Sequence, residues 1–208
     1  YDYDYFKVIM EITSPSGKVQ SVPAFWYQDY DFTFNTMYNG TPSGISGVAS
    51  TNKNEPQGLE TTTPKGDPHY RVRFTPYEYG EYKYKVLVYK YGTLISTEHE
   101  STINITKTTE KVTGVLKVDP TTKRNFIFSE TNETFVCVGQ NTAWYTSSTR
   151  KTEDYRVWFE QMNENYMNTG RVWMATWGFA LHWGTSYDNF DNRYGQAARL
   201  DKMLELAE

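Results

Sequence analysis

The feature that most constrains the fold of this chain is an alternation of apolar runs and amphipathic segments in its second half. The spacing predicts a strand over Phe135–Gly139, a helix over Thr152–Asn165, a strand over Thr169–Trp177 and a helix that extends to Glu208. This order indicates βαβ units with a parallel sheet. A closed (β/α)-barrel needs eight such units and roughly 250 residues, so residues 115–208 are predicted to supply its first two. We therefore expect the chain to be an amino-terminal piece of a longer protein.

Local patterns refine this prediction. The first helix carries an aromatic stripe, and Thr152 is the expected N-cap, followed by acidic residues in the first turn. Phe135–Gly139 is almost wholly apolar, as in strands that are buried on both faces. Cys137, the only cysteine, lies in this run and is expected to be a small buried hydrophobe rather than a nucleophile.

The first half of the chain shows the pattern of an antiparallel β-sandwich. Tyr70, Val72 and Phe74 alternate with polar residues, which is the period-two pattern of a half-buried strand. Residues 14–17 form a predicted tight turn, and 39–65 are predicted to be mostly loop with a short strand near 58–62. The predicted strands are Phe6–Ile12, Val22–Tyr27, Phe32–Met37, His69–Phe74, Tyr82–Tyr89 and Leu94–Ile105. The predicted domains are therefore a sandwich over 1–114 and a barrel portion over 115–208.

Composition excludes some function classes. The formal net charge is −4 and the isoelectric point is about 5.5, which argues against nucleic acid as a partner. The sequence contains no run of 18 apolar residues, so we expect no membrane span. Aromatic residues make up 17 % of the chain, a content that suits both sheet packing and stacking on sugars. The three histidines, at 69, 99 and 182, are spread too widely to predict a metal site by themselves.

Several segments together resemble a known family. They are Val22–Tyr27, Tyr70–Pro76 and Gly80–Tyr84 in the first half, and Phe135–Trp144, Arg171–Met174 and Ala198–Glu208 in the second. Their order and spacing are similar to those of bacterial glycoside hydrolases in which an immunoglobulin-like sandwich precedes a (β/α)8-barrel. The resemblance implies an all-β immunoglobulin-like sandwich followed by an incomplete α/β TIM-barrel portion.

The resemblance also implies an activity. Such enzymes hydrolyse β-linked polysaccharides with two carboxylates, which lie about 5 Å apart in retaining enzymes. Their glutamates follow strands four and seven, so we assign no catalytic residue in this chain and expect it to be inactive alone. No cofactor or metal is implied. The expected partners are a polysaccharide or oligosaccharide, and either the remainder of the barrel or another copy of the chain covering open strand edges. The expected location is bacterial: secreted, periplasmic or on the cell surface.

Ligand sites of barrels lie at the carboxyl ends of the strands. This rule places Asn141 and Trp144 after the first predicted barrel strand. It places Trp173, Trp177, His182 and Trp183 at or after the second. The predicted substrate-binding residues are Asn141, Trp144, Arg171, Trp177, His182 and Trp183.

Two roles are possible for Arg171. Asn168 and Arg171 match the Asn-x-x-Arg spacing of the resembled barrels, in which the arginine helps to keep a nucleophile ionised. The alternative is a structural ion pair in the barrel floor. Two roles are also possible for Trp177 and Trp183, which could either stack on a sugar or pack against neighbouring loops.

Two further functions stay open. The sandwich could be a non-catalytic carbohydrate-binding module, or it could be a structural module that supports a barrel without touching substrate.

Overall fold

The computed structural model describes residues 5–35, 58–107, 113–146, 149–179, 181–182 and 192–208. Within these residues the fold is β-rich, with several sheets and two helices. The strands are β1 (Phe6–Thr13), β2 (Val19–Pro23), β3 (Phe25–Asn35), β4 (Leu59–Arg71), β5 (Gly80–Lys90), β6 (Thr93–Ile105), β7 (Leu116–Val118), β8 (Phe126–Phe128), β9 (Thr134–Phe135), β10 (Gly139–Asn141) and β11 (Thr169–Arg171). The helices are α1 (Thr152–Glu164) and α2 (Tyr194–Ala207).

The chain forms two compact units, each built from two separate stretches. Unit 1 consists of residues 1–27 and 68–135, and unit 2 consists of residues 28–67 and 136–208. Their borders do not follow a single cut in the sequence. The predicted domains, 1–114 and 115–208, remain a prediction.

Unit 1 is organised around a four-stranded antiparallel sheet with the strand order β2-β1-β5-β6. Because successive side chains point to opposite faces, Val8, Met10 and Ile12 of β1 all face inward and are buried. Met10 and Ile12 pack with Tyr82 of β5 to form the core of the unit. The strands predicted for residues 6–12, 82–89 and 94–105 are confirmed, with ends that differ by one or a few residues.

Tyr82 also fixes the corner that leads into β5. Its side chain is 1 % exposed, and its hydroxyl oxygen accepts hydrogen bonds from the backbone N–H groups of Tyr77 and Glu78. The Glu78 carboxylate in turn accepts hydrogen bonds from the hydroxyl groups of Ser14 and Ser16 and from the backbone N–H of Ser16. The turn predicted at residues 14–17 is therefore present and is held by a residue more than 60 positions away.

A second, smaller sheet of unit 1 has the order β7-β8-β9, and its neighbouring strands are antiparallel. Its first two strands form an antiparallel hairpin. Ile127 is its buried residue. Asp119 closes the turn, because its carboxylate accepts hydrogen bonds from the backbone N–H of Thr121 and the hydroxyl of Thr122.

Unit 2 contains both helices and the parallel strand pair β10-β11. Tyr155 of α1 and Phe179 are fully buried, and Met203 of α2 is 4 % exposed. These three side chains form the core of the unit. The helix predicted at 152–165 is confirmed with one residue fewer, and the last helix begins at Tyr194.

The prediction of a buried strand over Phe135–Gly139 is wrong in two respects. Residue 135 belongs to β9 and residue 139 begins β10, and Cys137 between them is exposed, as are Val136 and Val138. The reason lies in Asn168. Its side-chain carbonyl accepts the N–H of Val138 and its amide group donates to the carbonyl of Val136, so a side chain replaces the ladder that a partner strand would supply.

The strand predicted at Thr169–Trp177 is also wrong in length, because β11 ends at Arg171. One further ladder bond follows, in which the N–H of Trp173 donates to the carbonyl of Ala143 at 2.7 Å. The chain then enters a turn at residues 176–179.

The short strand predicted near residues 58–62 is present as the start of β4, which extends without interruption to Arg71 and therefore beyond the predicted length. The predicted loop over residues 39–57 lies outside the described residues. Thr152, the predicted N-cap of α1, is instead its first helical residue. Lys151, at the cap position, makes no side-chain capping bond. The cap comes instead from Glu60 on β4, whose carboxylate accepts the N–H of Thr152 at 2.8 Å and also its hydroxyl.

Candidate functional site

The carboxyl ends of β10 and β11 lie side by side in unit 2. The two strands are parallel, and Asn141 is the register partner of Arg171. The N–H of Thr142 donates to the carbonyl of Arg171 at 3.0 Å, which continues the ladder beyond the strand end. Residues that follow both strands therefore emerge at the same edge, as the strand-end rule predicts.

Three tryptophan side chains meet at this edge, and we refer to Trp144, Trp173 and Trp177 as the tryptophan cluster. The ring of Trp144 lies 5.4 Å from that of Trp173 and 5.3 Å from that of Trp177, measured between centroids. Both contacts are edge-to-face, an arrangement that aromatic quadrupoles favour. Trp144 is half-buried in the centre, whereas Trp173 and Trp177 are 42 % and 60 % exposed. The cluster therefore offers two accessible indole surfaces.

The turn at residues 176–179 holds Trp177 in place. Phe179 is fully buried and packs against Tyr145 and Tyr155, so it anchors the turn to the core of unit 2. Gly178 lies so close to Trp144 that a Cβ atom at this position would be 3.2 Å from the Cβ of Trp144. A side chain at position 178 would require Trp144 or the turn to shift by a few tenths of an ångström.

Arg171 adds a positive charge to this edge. Its guanidinium carbon lies 5.5 Å from the ring centroid of Trp173, within the range of a cation–π interaction. The residue is exposed at the end of β11. Among the described residues, the guanidinium forms no ion pair with a carboxylate.

The structure therefore brings together four of the six predicted site residues: Asn141, Trp144, Arg171 and Trp177. His182 is half-buried just beyond the turn, and it is not one of the rings that define the tryptophan cluster. Trp183 lies outside the described residues. Trp173, which the strand-end rule also places at this edge, completes the cluster.

A second polar group in unit 2 lies in the interior. The side chain of Glu60 is 3 % exposed, and its carboxylate accepts a hydrogen bond from Nε of Arg199 at 3.1 Å. Arg199 also donates to the hydroxyl of Thr62. Burial raises the pKa of the Glu60 carboxyl, and the hydrogen bond and charge of Arg199 oppose this rise. Because this carboxylate contacts Thr152 at the start of α1 and Arg199 of α2, we assign Glu60 a structural role.

Sequence reasoning missed Glu60, and no local signal could have indicated it. The residue lies in a stretch rich in threonine, and its partners are 92 and 139 positions away. Burial also lowers the pKa of Lys151 and raises that of Tyr145 in the same region. The charges of Arg199 and Glu60 act on both groups, so Lys151 and Tyr145 lie near this ion pair.

Within the part of the chain that the structure describes, no group of three or more histidine, cysteine, aspartate or glutamate side chains could hold a metal ion. No described helix has the length and apolar character that crossing a bilayer requires. Comparison of the chain with protein-family models, with curated proteins and with solved structures found no match.

Proposed function

We propose that the tryptophan cluster binds the sugar rings of a polysaccharide, and that the chain is the amino-terminal part of a glycoside hydrolase acting on β-glycosidic bonds. The observation that carries this proposal is the position of Trp144, Trp173 and Trp177 at the carboxyl ends of two neighbouring parallel strands.

Stacking explains why such a surface suits a sugar. The C–H groups on a pyranose face are weakly positive and meet the negative face of an indole, while apolar area is removed from water. Trp173 and Trp177 expose 42 % and 60 % of their surface to water, and a ligand ring stacked on them would remove part of this apolar surface from water. Asn141 and Arg171 are exposed at the ends of β10 and β11, and their amide and guanidinium groups can bond to sugar hydroxyl groups.

Two features support the finer fold assignment within this proposal. In unit 2, the order β10, α1, β11, α2 with parallel pairing is that of the first two units of a (β/α)-barrel. In unit 1, the hydroxyl of Tyr82 bonds to the backbone a few residues upstream, at the start of a strand. This arrangement resembles the tyrosine corner of immunoglobulin-like sandwiches.

Glycoside hydrolysis needs a pair of carboxylates beside the bound sugar. The residues gathered at this edge are Asn141, Trp144, Arg171, Trp173 and Trp177, and none of them has a carboxylate. We therefore propose that this chain supplies sugar contacts and that the catalytic glutamates are on strands it does not contain. A secreted, periplasmic or surface location follows from the same resemblance, because polysaccharides are extracellular substrates.

The proposal is tested by measuring binding of β-linked oligosaccharides to the 208-residue chain by calorimetry. We expect Trp177→Ala to weaken binding about ten-fold, which corresponds to about 1.4 kcal/mol. The matched control is Trp26→Ala, because Trp26 is 39 % exposed but belongs to unit 1.

The two variants separate the proposal from its main competitor. If Trp26→Ala abolishes binding and Trp177→Ala retains it, unit 1 is a carbohydrate-binding module and the proposal for the tryptophan cluster is wrong. Absence of binding to any β-glucan, mannan or galactan oligosaccharide would also contradict it.

A further inference from the structure

The carboxylate of Asp154, in the first turn of α1, is a buried anchor for the segment that carries Trp144. Its side chain is 3 % exposed. One oxygen, Oδ2, accepts hydrogen bonds from the backbone N–H and the hydroxyl of Thr146, at 3.0 and 3.3 Å. The other oxygen, Oδ1, accepts a hydrogen bond from Nε of Arg150 at 2.6 Å. Both oxygens therefore bind the segment between β10 and α1, and Thr146 lies two positions after Trp144.

The strand ladder fixes the same segment on the other side of Trp144. The carbonyl of Ala143 accepts a hydrogen bond from the N–H of Trp173 at 2.7 Å. Trp144 therefore lies between two backbone hydrogen bonds, one at Ala143 and one at Thr146. Of the two, the bond at Thr146 is made to a side chain, so a substitution of Asp154 can remove it while the pairing of β10 with β11 stays intact.

From these contacts we propose that Asp154 is a positioning residue of the sugar site, which sets the orientation of the Trp144 indole. The inference rests on the proposed function, because it concerns how the tryptophan cluster is held ready for a ligand. Trp144 contacts both of the more exposed rings, with centroid distances of 5.4 Å to Trp173 and 5.3 Å to Trp177. A shift of the backbone at Trp144 would therefore change the surface that these rings present.

A buried carboxylate suits this task better than a neutral acceptor does. Hydrogen bonds to an ionised acceptor are shorter and roughly twice as strong as those between neutral groups. The first turn of α1 is also a favourable place for a negative charge, because the helix dipole stabilises it there. Indoles that are held in place before a sugar arrives lose less entropy when it binds. Asp154 acts through Thr146 and Trp144, so we expect it to influence sugar affinity without touching the sugar.

The test compares Asp154→Asn with Glu153→Gln. A side-chain amide has one oxygen and one NH2 group, so Asp154→Asn must set a donor against either the N–H of Thr146 or Nε of Arg150. Glu153→Gln is the matched control, because it removes a carboxylate from the same helical turn. Glu153 pairs with Arg156 of the same helix, so its loss leaves the bonds at Thr146 in place.

Two readouts are measured on chains that far-ultraviolet circular dichroism shows to be folded. The first is near-ultraviolet circular dichroism, in which neighbouring indoles give a signal that depends on their mutual orientation. We expect Asp154→Asn to change this signal and Glu153→Gln to leave it unchanged. The second is the calorimetric affinity for a β-linked oligosaccharide, which Asp154→Asn should weaken about five-fold. A residue that contributes to stability alone would alter neither readout in a folded chain.

The outcomes separate this inference from the proposed function. If folded Asp154→Asn keeps either the near-ultraviolet spectrum or the affinity of the unaltered chain, or if Glu153→Gln changes both as much, the positioning role is wrong. If the unaltered chain binds no oligosaccharide, the proposed function fails, and the near-ultraviolet comparison decides whether Asp154 orients Trp144. If Asp154→Asn does not fold, Thr146→Val replaces it, because this variant removes the hydroxyl bond at an exposed position. An unchanged near-ultraviolet spectrum of Thr146→Val would then overturn the inference.

Discussion

Replacing Glu60 with alanine should destabilise unit 2 strongly. Glu60 joins three elements of this unit, because it lies on β4, caps α1 at Thr152 and pairs with Arg199 of α2. Alanine leaves the first turn of α1 without its acceptor and leaves a guanidinium that is 15 % exposed without its partner. Removing one member of a buried ion pair costs about 3–5 kcal/mol. Because Arg199 keeps some access to water, we expect about 3 kcal/mol.

A matched control is available on the same helix. Lys202 and Glu205 pair at 3.1 Å, the same N–O distance as Arg199 and Glu60, but their side chains are 37 % and 65 % exposed. Exposed pairs contribute about 0–1 kcal/mol, so Glu205→Ala should change the free energy of unfolding by less than 1 kcal/mol. The two substitutions therefore remove ion pairs that have the same N–O distance but differ in burial.

The assay is urea unfolding followed by tryptophan fluorescence. Trp26 belongs to unit 1, whereas Trp144, Trp158, Trp173 and Trp177 belong to unit 2, so the signal reports mainly on unit 2. Urea is uncharged and does not screen the ion pair. If Glu60→Ala loses no more stability than Glu205→Ala, the structural role assigned to Glu60 is refuted. If Glu60→Ala does not fold, Glu60→Gln replaces it. Glu60→Gln should lower the free energy of unfolding less than Glu60→Ala would, because its amide oxygen can still accept a hydrogen bond from the N–H of Thr152.

The pH dependence of this effect has a definite sign. Burial raises the pKa of Glu60 above its ordinary value of 4.5, so the folded state binds the proton more tightly than the unfolded state. The contribution of Glu60 to stability is therefore greatest below pH 4.5 and declines as the pH rises through the raised pKa. The difference in unfolding free energy between the unaltered chain and Glu60→Ala should shrink from pH 4 to pH 7. A difference that grows over this range would contradict the assigned cause.

Four other predictions follow from the structure. Hydrogen bonds from Ser16 lower the pKa of Glu78, so its contribution to unit 1 is present above pH 4.5 and is lost as the pH falls; Glu78→Gln should flatten the acid limb of the stability–pH curve. Tyr82→Phe should cost about 1–3 kcal/mol in chemical denaturation, because two backbone N–H groups lose their acceptor, whereas Tyr79→Phe on the surface should cost almost nothing. Phe179→Ala should cost about 3–5 kcal/mol and alter the near-ultraviolet circular dichroism of the tryptophan cluster; an unchanged spectrum would show that the turn does not hold Trp177. The pure 208-residue chain should release no reducing sugar from any β-glucan, mannan or galactan, and measurable turnover would place catalytic carboxylates within it.

The two helices of unit 2 and the long strands of unit 1 could be predicted, because the sequence patterns that indicate them lie within each element. The aromatic stripe of α1 repeats at helical spacing, and β1 alternates between buried and half-buried residues. The short strands of unit 2 could not be predicted in the same way. The apolar run at residues 135–139 favours a strand. In the structure, however, the side chain of Asn168, about 30 positions away, bonds to the backbone of residues 136 and 138, just before β10 begins.

The residues of the candidate site could be predicted from the sequence more readily than the buried residue Glu60. Asn141, Trp144, Arg171 and Trp177 could be grouped from the rule that parallel strands end at one edge. The stacking of Arg171 on Trp173 could not, because it depends on side-chain conformations after the strand ends. Glu60 gave no signal either, since an acidic residue among threonines has the pattern of an exposed strand or loop.

The composition of unit 2 from two separate stretches has a consequence for its assembly during translation. Glu60 leaves the ribosome 139 positions before Arg199, and 92 before Thr152. Contacts between such distant positions form slowly, because a long loop must close before they stabilise anything. The nascent β4 therefore waits, with Glu60 hydrated and ionised, until Arg199 has been synthesised. Loss of water from this carboxylate should therefore be one of the last steps in the folding of unit 2.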